Sequence, residues 1–241
     1  MRYIYLIIAC LISVSLFPQN IEKKCKTCGK SISKCQFKGN HRNNEPTSRK
    51  PNAWQTKDGG KTWKKIVAEN IVIRTEKEID LGLPSGTIWA GWNIDATKPE
   101  EIGGYYSYGE VSTKKIYSNN DYIGKCFLQG DPKADVATYK WGAAWCIPTE
   151  KQATELKNKC TWTYFVHNGV AGVAVTGPNG KSLFLPIGEY IYNGKKGGNN
   201  CGYITAIGSD GACQLGFANG YLFIGYDQMV VGYNVRAVKK K

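Results

Sequence analysis

Three cysteines and one histidine near the start of the chain have the residue types and the spacing of metal ligands. Cys25 and Cys28 are separated by two residues and followed by Gly29, and Cys35 and His41 come next along the chain. Three thiolates and one imidazole can complete the tetrahedral shell that zinc prefers. Four protein ligands would leave no position for a catalytic water, so we predict a structural zinc site.

Disulfide bonds are the alternative use of these cysteines. The chain has 9 cysteines, and Cys10 lies in an apolar N-terminal run, which leaves eight for the rest of the chain. Eight cysteines allow 105 connectivities, so the pairing does not follow from the sequence. If zinc takes three thiolates, an odd number remains and one thiol stays unpaired. Zinc and disulfides therefore both remain open for this segment.

Residues 1–19 have the layout of a secretory signal peptide. Arg2 precedes an apolar run from Tyr3 to Phe17, and a polar stretch follows Pro18. An uncleaved anchor and lipoprotein processing at Cys10 are the alternatives. We expect the mature protein to be secreted, either extracellular or on the outer cell surface, with the periplasm as a further alternative. Contact with a membrane is expected only during export.

Positive charge is concentrated before the main domain. Residues 22–77 hold 15 Lys and Arg against 5 Asp and Glu, whereas residues 78–241 hold 16 against 14. A nucleic-acid-binding domain carries its charge on a folded face, with basic and aromatic residues interleaved. We therefore expect no specific nucleic-acid partner, and we assign any attraction to polyanions to the leader.

The chain divides into five segments: a signal peptide (1–19), a Cys/His knuckle (20–42), a linker (43–55), a β-hairpin lead-in (56–77) and a main domain (78–241). The linker is assigned because residues 42–52 are polar, contain proline and lack an apolar period. Residues 56–63 (TKDGGKTW) resemble an Asp-box, in which Asp and Gly form a tight turn. We predict a strand at 62–74 after this turn.

The main domain has many short strand signals and one clear helix signal. Thr149 and Gln152 have the spacing of a capping box, and Ala153 and Leu156 form an inward stripe. Strands are predicted at 88–92, 105–108, 170–175, 182–186, 203–207, 212–218, 221–226 and 233–238. These signals predict an α+β fold with a twisted, mainly antiparallel sheet, one or two short helices and long loops.

Three segments of the main domain carry a resemblance to a known family. They are residues 80–90 (DLGLPSGTIWA), 141–149 (WGAAWCIPT) and 232–238 (GYNVRAV), supported by 103–110, 160–163 and 175–186. In this order they resemble the Fibrobacter succinogenes major paralogous domain of secreted Bacteroidetes proteins, which has a C-type-lectin-like fold. Residues 25–41 also look like a short zinc-ribbon-like module found at the N-termini of related secreted proteins.

The resemblance implies a binding surface near the C-terminal end of the domain. In the family, the segment that matches residues 220–232 faces the ligand. The candidate ligand-binding residues are Tyr203, Tyr221, Phe223, Tyr226, Asp227 and Gln228. The alternative is that Leu222, Ile224, Val235 and Val238 are core and the aromatic residues fill a second layer. Arg236 is expected to anchor the closing strand internally, and Cys146 stands where relatives usually have arginine.

The expected function is a non-catalytic, calcium-independent binding module for a protein or glycan ligand at the cell surface. The loops and the Trp-Asn-Asp strand that hold calcium in animal C-type lectins are not recognisable in the sequence. One alternative is a structural subunit of a surface assembly that associates with copies of itself. A second is a relative of the formylglycine-generating oxidases, which share the broad fold, with Cys201 and Cys213 as a copper-binding thiol pair. Their active-site arrangement is not recognisable, so we do not expect an enzyme.

Overall fold

The computed structural model describes residues 52–124, 129–197, 201–208, 211–218 and 220–239. The predicted signal peptide, the Cys/His knuckle and most of the predicted linker lie outside these residues. So do the four predicted metal ligands and Cys126. No helix of the described residues is long and apolar enough to cross a membrane.

Short strands dominate the described residues, and two helices accompany them. The helices are α1 (Val136–Trp141) and α2 (Glu150–Lys159). The strands are β1 (Ala53–Thr56), β2 (Lys64–Ile66), β3 (Glu78–Asp80), β4 (Ile88–Ala90), β5 (Trp145–Cys146), β6 (Thr161–His167), β7 (Val170–Thr176), β8 (Ser182–Pro186), β9 (Tyr190–Tyr192), β10 (Lys195–Gly197), β11 (Cys201–Gly208), β12 (Gly211–Ala218), β13 (Tyr221–Asp227) and β14 (Val238–Lys239). The mostly antiparallel sheets with two helices are consistent with the predicted α+β class.

The largest sheet has the strand order β2-β1-β6-β7-β8. Its central hairpin joins β6 to β7 through Asn168 and Gly169, which both have positive φ, at 48° and 81°. Two such residues form the turn whose twist matches that of the flanking strands. The Asn168-Gly169 pair, which is typical of such turns, therefore forms a hairpin here, and the register is continuous from His167 opposite Val170 to Thr161 opposite Thr176.

The three segments that carry the family resemblance meet in a second sheet, of order β3-β4-β14-β5. Val238 of β14 pairs with Trp89 of β4 on one side and with Cys146 of β5 on the other. The side chains of Trp89 and Val238 are almost completely buried. The resemblance therefore lies in residues that form the core rather than in an exposed site.

Arg236 anchors the closing segment from inside the protein, as the sequence analysis expected. Its side chain is 1% exposed. It donates hydrogen bonds to Asn93 Oδ1 at 2.8 Å, to the Ala90 carbonyl at 3.1 Å and to the Phe184 carbonyl at 2.8 Å. Burial lowers the pKa of the guanidinium to about 10, so it remains charged at neutral pH. It ties β4, β8 and the closing segment together.

Two helices cover the sheets, and the sequence indicated one of them clearly. The predicted helix at Thr149 is confirmed as α2, with the full capping box of Thr149 and Gln152 and with Ala153 and Leu156 buried. We did not assign α1, which has only 6 residues. It begins after Asp135, whose buried carboxylate accepts from the Ala137, Thr138, Gly130 and Ile147 amides.

The segment assigned to a linker and a lead-in belongs to the largest sheet. Residues 53–55 of the predicted linker lie in β1, and β1 pairs with β6, with Trp54 opposite Tyr164. The predicted strand at 62–74 is limited to Lys64–Ile66, because the chain then leaves the sheet. Thr56 and Asp58 form the predicted turn. The backbone at Gly59 approaches Asn158 closely, and the backbone at Gly60 approaches Leu222 closely. This hairpin is therefore part of the main domain's packing.

Two other strand predictions were too long. Residues 105–108 contribute a single bridge, between Tyr106 and Tyr233, instead of a strand. The closing strand predicted at 233–238 is reduced to Val238–Lys239, although Asn234 forms a further bridge with Tyr203. Tight side-chain packing rather than a long ladder holds this region, because Tyr106, Val235 and Ala237 are completely buried.

Candidate binding surface on strand β13

Strand β13 is the edge strand of the sheet β11-β12-β13, and its two faces have different surroundings. Side chains alternate between the faces of a strand. Leu222 is buried, and it packs with Ile224 against the main hydrophobic cluster next to α2. Tyr221 and Phe223 belong to the opposite face and are 65% and 36% exposed. We call Tyr221 and Phe223 the outer aromatic pair.

A glycine on the neighbouring strand supports Phe223. Gly216 is the register partner of Phe223, and a Cβ atom at Gly216 would lie 2.2 Å from the end of the Phe223 ring. The ring therefore lies directly on the backbone of β12, which only glycine permits. A second glycine, Gly225, follows two residues after Phe223 on the same face. Phe223 is thus held against the backbone by small residues, and Tyr221 extends the apolar surface on the same face of β13.

Asp227 and Gln228 are exposed but already make internal contacts. One carboxylate oxygen of Asp227 accepts a hydrogen bond from the Tyr233 hydroxyl, and the other accepts from the Gln228 amide at 2.7 Å. Burial and this contact with Asp227 raise the pKa of Tyr233 well above its usual range. Asp227 therefore fixes the end of β13. A ligand that binds the Asp227 carboxylate would have to share the carboxylate oxygens with Tyr233.

Tyr226 lies on the other face from the outer aromatic pair. Its side chain is 46% exposed. Its hydroxyl is 3.4 Å from both carboxylate oxygens of Glu150, at the start of α2. The predicted set of ligand-binding residues is therefore divided: Tyr221 and Phe223 share one face, whereas Tyr226 points toward the helix side.

The structure corrects the assignment of Tyr203, which is a core residue. Its side chain is 2% exposed and stacks on Phe217 with the ring centres 5.9 Å apart. Its hydroxyl donates to the Pro186 carbonyl at 2.9 Å and accepts from the Asn93 side chain at 3.2 Å. Strand alternation places Tyr203 on the face of β11 that α2 covers, so it cannot contact a ligand on the outer face.

The cavity beside β13 is too small for an organic ligand. It lies behind Asp227, between Tyr108, Ile204 and Tyr233, and its volume is about 10 Å³. A space of this size holds about one water molecule. A ligand of β13 would therefore bind to the exposed surface rather than inside a pocket.

The two cysteines considered as a copper pair lie far apart. On the paired strands β11 and β12, Cys201 is opposite Phe217 and Cys213 is opposite Thr205. Four residues along a strand separate the two thiols by about 13 Å. Burial raises the pKa of Cys201 to about 12 and also raises that of Cys213. Protonated, buried thiols of this kind are poor ligands and poor nucleophiles.

Met229 and the supporting glycines are features of this surface that our site prediction omitted. Met229 is 42% exposed just beyond Gln228. Glycine within a strand often marks a close approach of another group, and this was the available signal for Gly216. Within the described residues, no group of three or more His, Cys, Asp and Glu side chains is arranged to hold a metal ion.

Comparisons of the chain with protein-family models, with curated proteins and with solved structures found no significant match.

Proposed function

We propose that this chain is a secreted or surface-exposed, non-catalytic binding module with a C-type-lectin-like fold. The observation that carries the proposal is the outer aromatic pair on β13. Phe223 is held against the backbone of β12, and Tyr221 lies on the same face of a strand whose other face is held in the core. Aromatic residues fixed in this way provide contact area at a low cost in side-chain entropy. The ligand is a protein or a glycan, and no calcium is needed for contacts of this kind.

The position of the family-like segments supports the proposed fold. Residues 80–90, 141–149 and 232–238 are distant in sequence, but β4, β5 and β14 bring them together in one sheet. Segments that build one buried core are constrained together, so their joint occurrence points to a shared fold more strongly than any one of them. Because the segments are structural, they say nothing about which ligand is bound.

Self-association in a surface assembly is the second candidate function. Among the described strands, β13 pairs on one side only, with β12. An edge strand with exposed apolar side chains can pair with another chain, including a copy of itself. The same two aromatic residues would then be buried between copies rather than against a foreign ligand.

The oxidase alternative has little support from the described residues. The wide separation of Cys201 and Cys213 removes the thiol pair on which that alternative depended. Copper-dependent turnover by the purified protein would nevertheless reverse this conclusion.

A binding screen of the mature protein tests the proposed function. The protein is applied to glycan and protein arrays, and its size is measured by sedimentation velocity. The test variant is Tyr221→Ala/Phe223→Ala. The control is Val166→Ala, because Val166 is a similarly exposed apolar residue, at 64%, on a different sheet.

We expect the array signal to disappear in the double variant and to persist in the control, with unchanged circular dichroism for both. Concentration-dependent dimers that only the double variant dissociates would favour the surface-assembly function. Array binding that the double variant retains in full would overturn the assignment of this surface.

A further inference from the structure

An open polar groove lies on the largest sheet, away from β13. Its volume is about 540 Å³. The strands β1, β6, β7 and β8 form its floor, and the segment from Asn70 to Arg74 forms one wall. Its lining includes Gln55, Lys57, Arg74, Thr161, Thr176 and Ser182.

The floor of the groove is a row of hydroxyl groups on neighbouring strands. Thr161 of β6 is the register partner of Thr176 of β7, which is the partner of Ser182 of β8. Thr176 and Ser182 share a hydrogen bond of 2.7 Å, and the Gln55 side-chain amide donates to Thr163 at 3.0 Å. Thr163 and Ser182 are themselves almost fully buried, whereas Thr161 and Thr176 are partly exposed. Because a hydroxyl can both donate and accept, Thr161 and Thr176 keep capacity for hydrogen bonds to a ligand.

The wall of the groove is held firmly against the floor. Ile73 forms a parallel bridge with Ser182, and the Arg74 amide donates to the Ser182 carbonyl at 2.9 Å. Ile73 is also buried with Ala174 and Phe184 in a small separate core. The groove is therefore formed before a ligand arrives, which lowers the entropic cost of binding.

The charged residues that line the groove are both positive: Lys57 and Arg74. Arg74 has an acidic neighbour, Glu76, but the two side chains are 43% and 48% exposed and are separated by 3.8 Å. An exposed ion pair of this kind contributes little to stability, so Arg74 can exchange its contact with Glu76 for a contact with a ligand. Lys64 adds a third positive charge to the same face of the sheet, because it is the register partner of Gln55.

The composition of the groove selects among anionic ligands. Hydroxyl and amide groups in a row match the hydroxyl groups of a sugar chain, and the two cations match a carboxylate or sulfate substituent. The lining contains no aromatic side chain. Single-stranded nucleic acids are bound largely by stacking of bases on aromatic residues, which this floor does not offer.

We infer that this groove binds a segment of an acidic polysaccharide, with Lys57 and Arg74 contacting its anionic groups and with Thr161 and Thr176 contacting its hydroxyl groups. This site is separate from the outer aromatic pair. It also places part of the attraction to polyanions on the folded domain, whereas from the sequence we expected all of it from residues 22–77, as a leader separate from the main domain.

Binding of defined oligosaccharides to the full mature protein tests this inference. The probes are a heparin oligosaccharide for sulfate, a polygalacturonate oligosaccharide for carboxylate, dextran as a neutral sugar chain and oligo-dT as a nucleic acid. The groove variant is Lys57→Gln/Arg74→Gln. Its control is Lys61→Gln/Lys65→Gln, which removes the same charge from the β1-β2 hairpin but outside the groove lining.

We expect one or both acidic oligosaccharides to bind, and dextran and oligo-dT not to compete. The groove variant should weaken the Kd by about tenfold or more, since it loses charge-assisted hydrogen bonds, and the control should change it by less than about threefold. Thr161→Val should weaken binding without lowering the melting temperature. The Tyr221→Ala/Phe223→Ala variant should bind these probes normally, which separates this site from the proposed function.

Three results would overturn the inference. The first is equal loss of binding in the groove variant and its control, which would indicate diffuse attraction to the leader. The second is oligo-dT binding with the same sensitivity to Lys57 and Arg74. The third is the absence of binding to both acidic oligosaccharides.

Discussion

At the scale of single residues, several buried polar side chains join distant segments of the chain through hydrogen bonds. Arg236 is the clearest case, because its three hydrogen-bond acceptors come from two distant parts of the chain, residues 90–93 and Phe184. Tyr203 is another, since its hydroxyl joins β11 to the end of β8 and to Asn93. Such residues stabilise one arrangement of the strands, because any shift would leave a buried polar group without its partner.

Replacing Arg236 with lysine should destabilise the protein by about 2–4 kcal/mol. A single ammonium cannot reach three acceptors arranged for a planar guanidinium, and the abandoned acceptors stay buried. Urea unfolding followed by fluorescence measures the change. Lys239→Gln is the control, because its ion pair with Glu78 is exposed and should contribute less than about 1 kcal/mol. Equal effects of the two substitutions would contradict the anchoring role.

The two tryptophans of the segment 141–149 should differ in their contribution to stability. Trp145 is 4% exposed, whereas Trp141 is only partly buried at the end of α1. Trp145→Ala should cost about 3–5 kcal/mol and Trp141→Ala roughly half of that, because less area and a smaller cavity are involved. Tyr221→Ala should cost little. Thermal melts of the three variants decide the order, and a Tyr221 variant as unstable as the Trp145 variant would place β13 in the core.

At the scale of elements, the β1-β2 hairpin shows how a local turn joins the rest of the domain. Asp58 closes the turn, accepting hydrogen bonds from the Thr62 hydroxyl at 2.5 Å, the Thr62 amide at 2.9 Å and the Thr56 hydroxyl at 2.7 Å. These contacts shape the turn that contains Gly59 and Gly60. At Gly60, with φ of 88°, a Cβ atom would lie 2.7 Å from Leu222 of β13.

The Asp58 carboxyl should titrate well below the usual range of aspartate. The hydrogen bonds from Thr62, followed by that from Thr56, lower its pKa because they favour the charged form. A lowered pKa in the folded state means that the turn is stabilised above the unfolded pKa, near 3.9, and loses this stabilisation as the pH falls below it. An NMR titration of the carboxyl carbon measures the pKa. Thr62→Val should raise it, and a pKa unaffected by that substitution would contradict the assignment of the cause.

Truncations should show that the hairpin belongs to the domain. A chain that begins at Asn52 should fold, whereas a chain that begins at Glu78 should be unstable, because it lacks β1 along the edge of β6 and the partly buried Trp63. Circular dichroism and thermal melts compare the two. A stable, cooperative fold for the shorter chain would restore the predicted separation of residues 56–77 from the main domain. Any deletion that tests the charge of the leader must therefore end before Asn52.

At the scale of the whole molecule, the described residues provide two different surfaces on two different sheets. The outer aromatic pair lies on the sheet β11-β12-β13, and the polar groove lies on the sheet β2-β1-β6-β7-β8. Because the two surfaces use different strands and different chemistry, substitutions at one should leave the other intact. A module with both could hold an acidic polysaccharide and a second ligand at the same time.

Zinc binding by residues 25–41 remains a prediction outside the described residues. The purified mature protein should contain about one equivalent of zinc, and Cys25→Ser/Cys28→Ser should release it, because thiolates are required as ligands. Elemental analysis measures the metal content. A metal-free protein in which mass mapping finds Cys25 and Cys28 oxidised would establish the disulfide alternative instead.

Local features of this protein followed from its sequence. The capping box of Thr149 and Gln152 predicted the start of α2, and Asn168 and Gly169 predicted the turn between β6 and β7. These features depend on residues a few positions apart, whose backbone preferences act without the rest of the chain. The candidate ligand set did not follow the alternation of β13, because it combined Tyr221 and Phe223 with Tyr226 of the other face.

Which face is covered, and by what, was decided by the tertiary structure. Tyr203 and Tyr221 have similar local sequences, but α2 covers one and leaves the other in solvent. The strand β1 looked like the end of a linker because its partner, β6, lies more than a hundred residues further along the chain. The groove combines side chains from four strands and a loop, and its only local signal was the alternation of Thr161 and Thr163. A sequence pattern shows the period of a strand, whereas burial and the joining of distant residues depend on long-range packing.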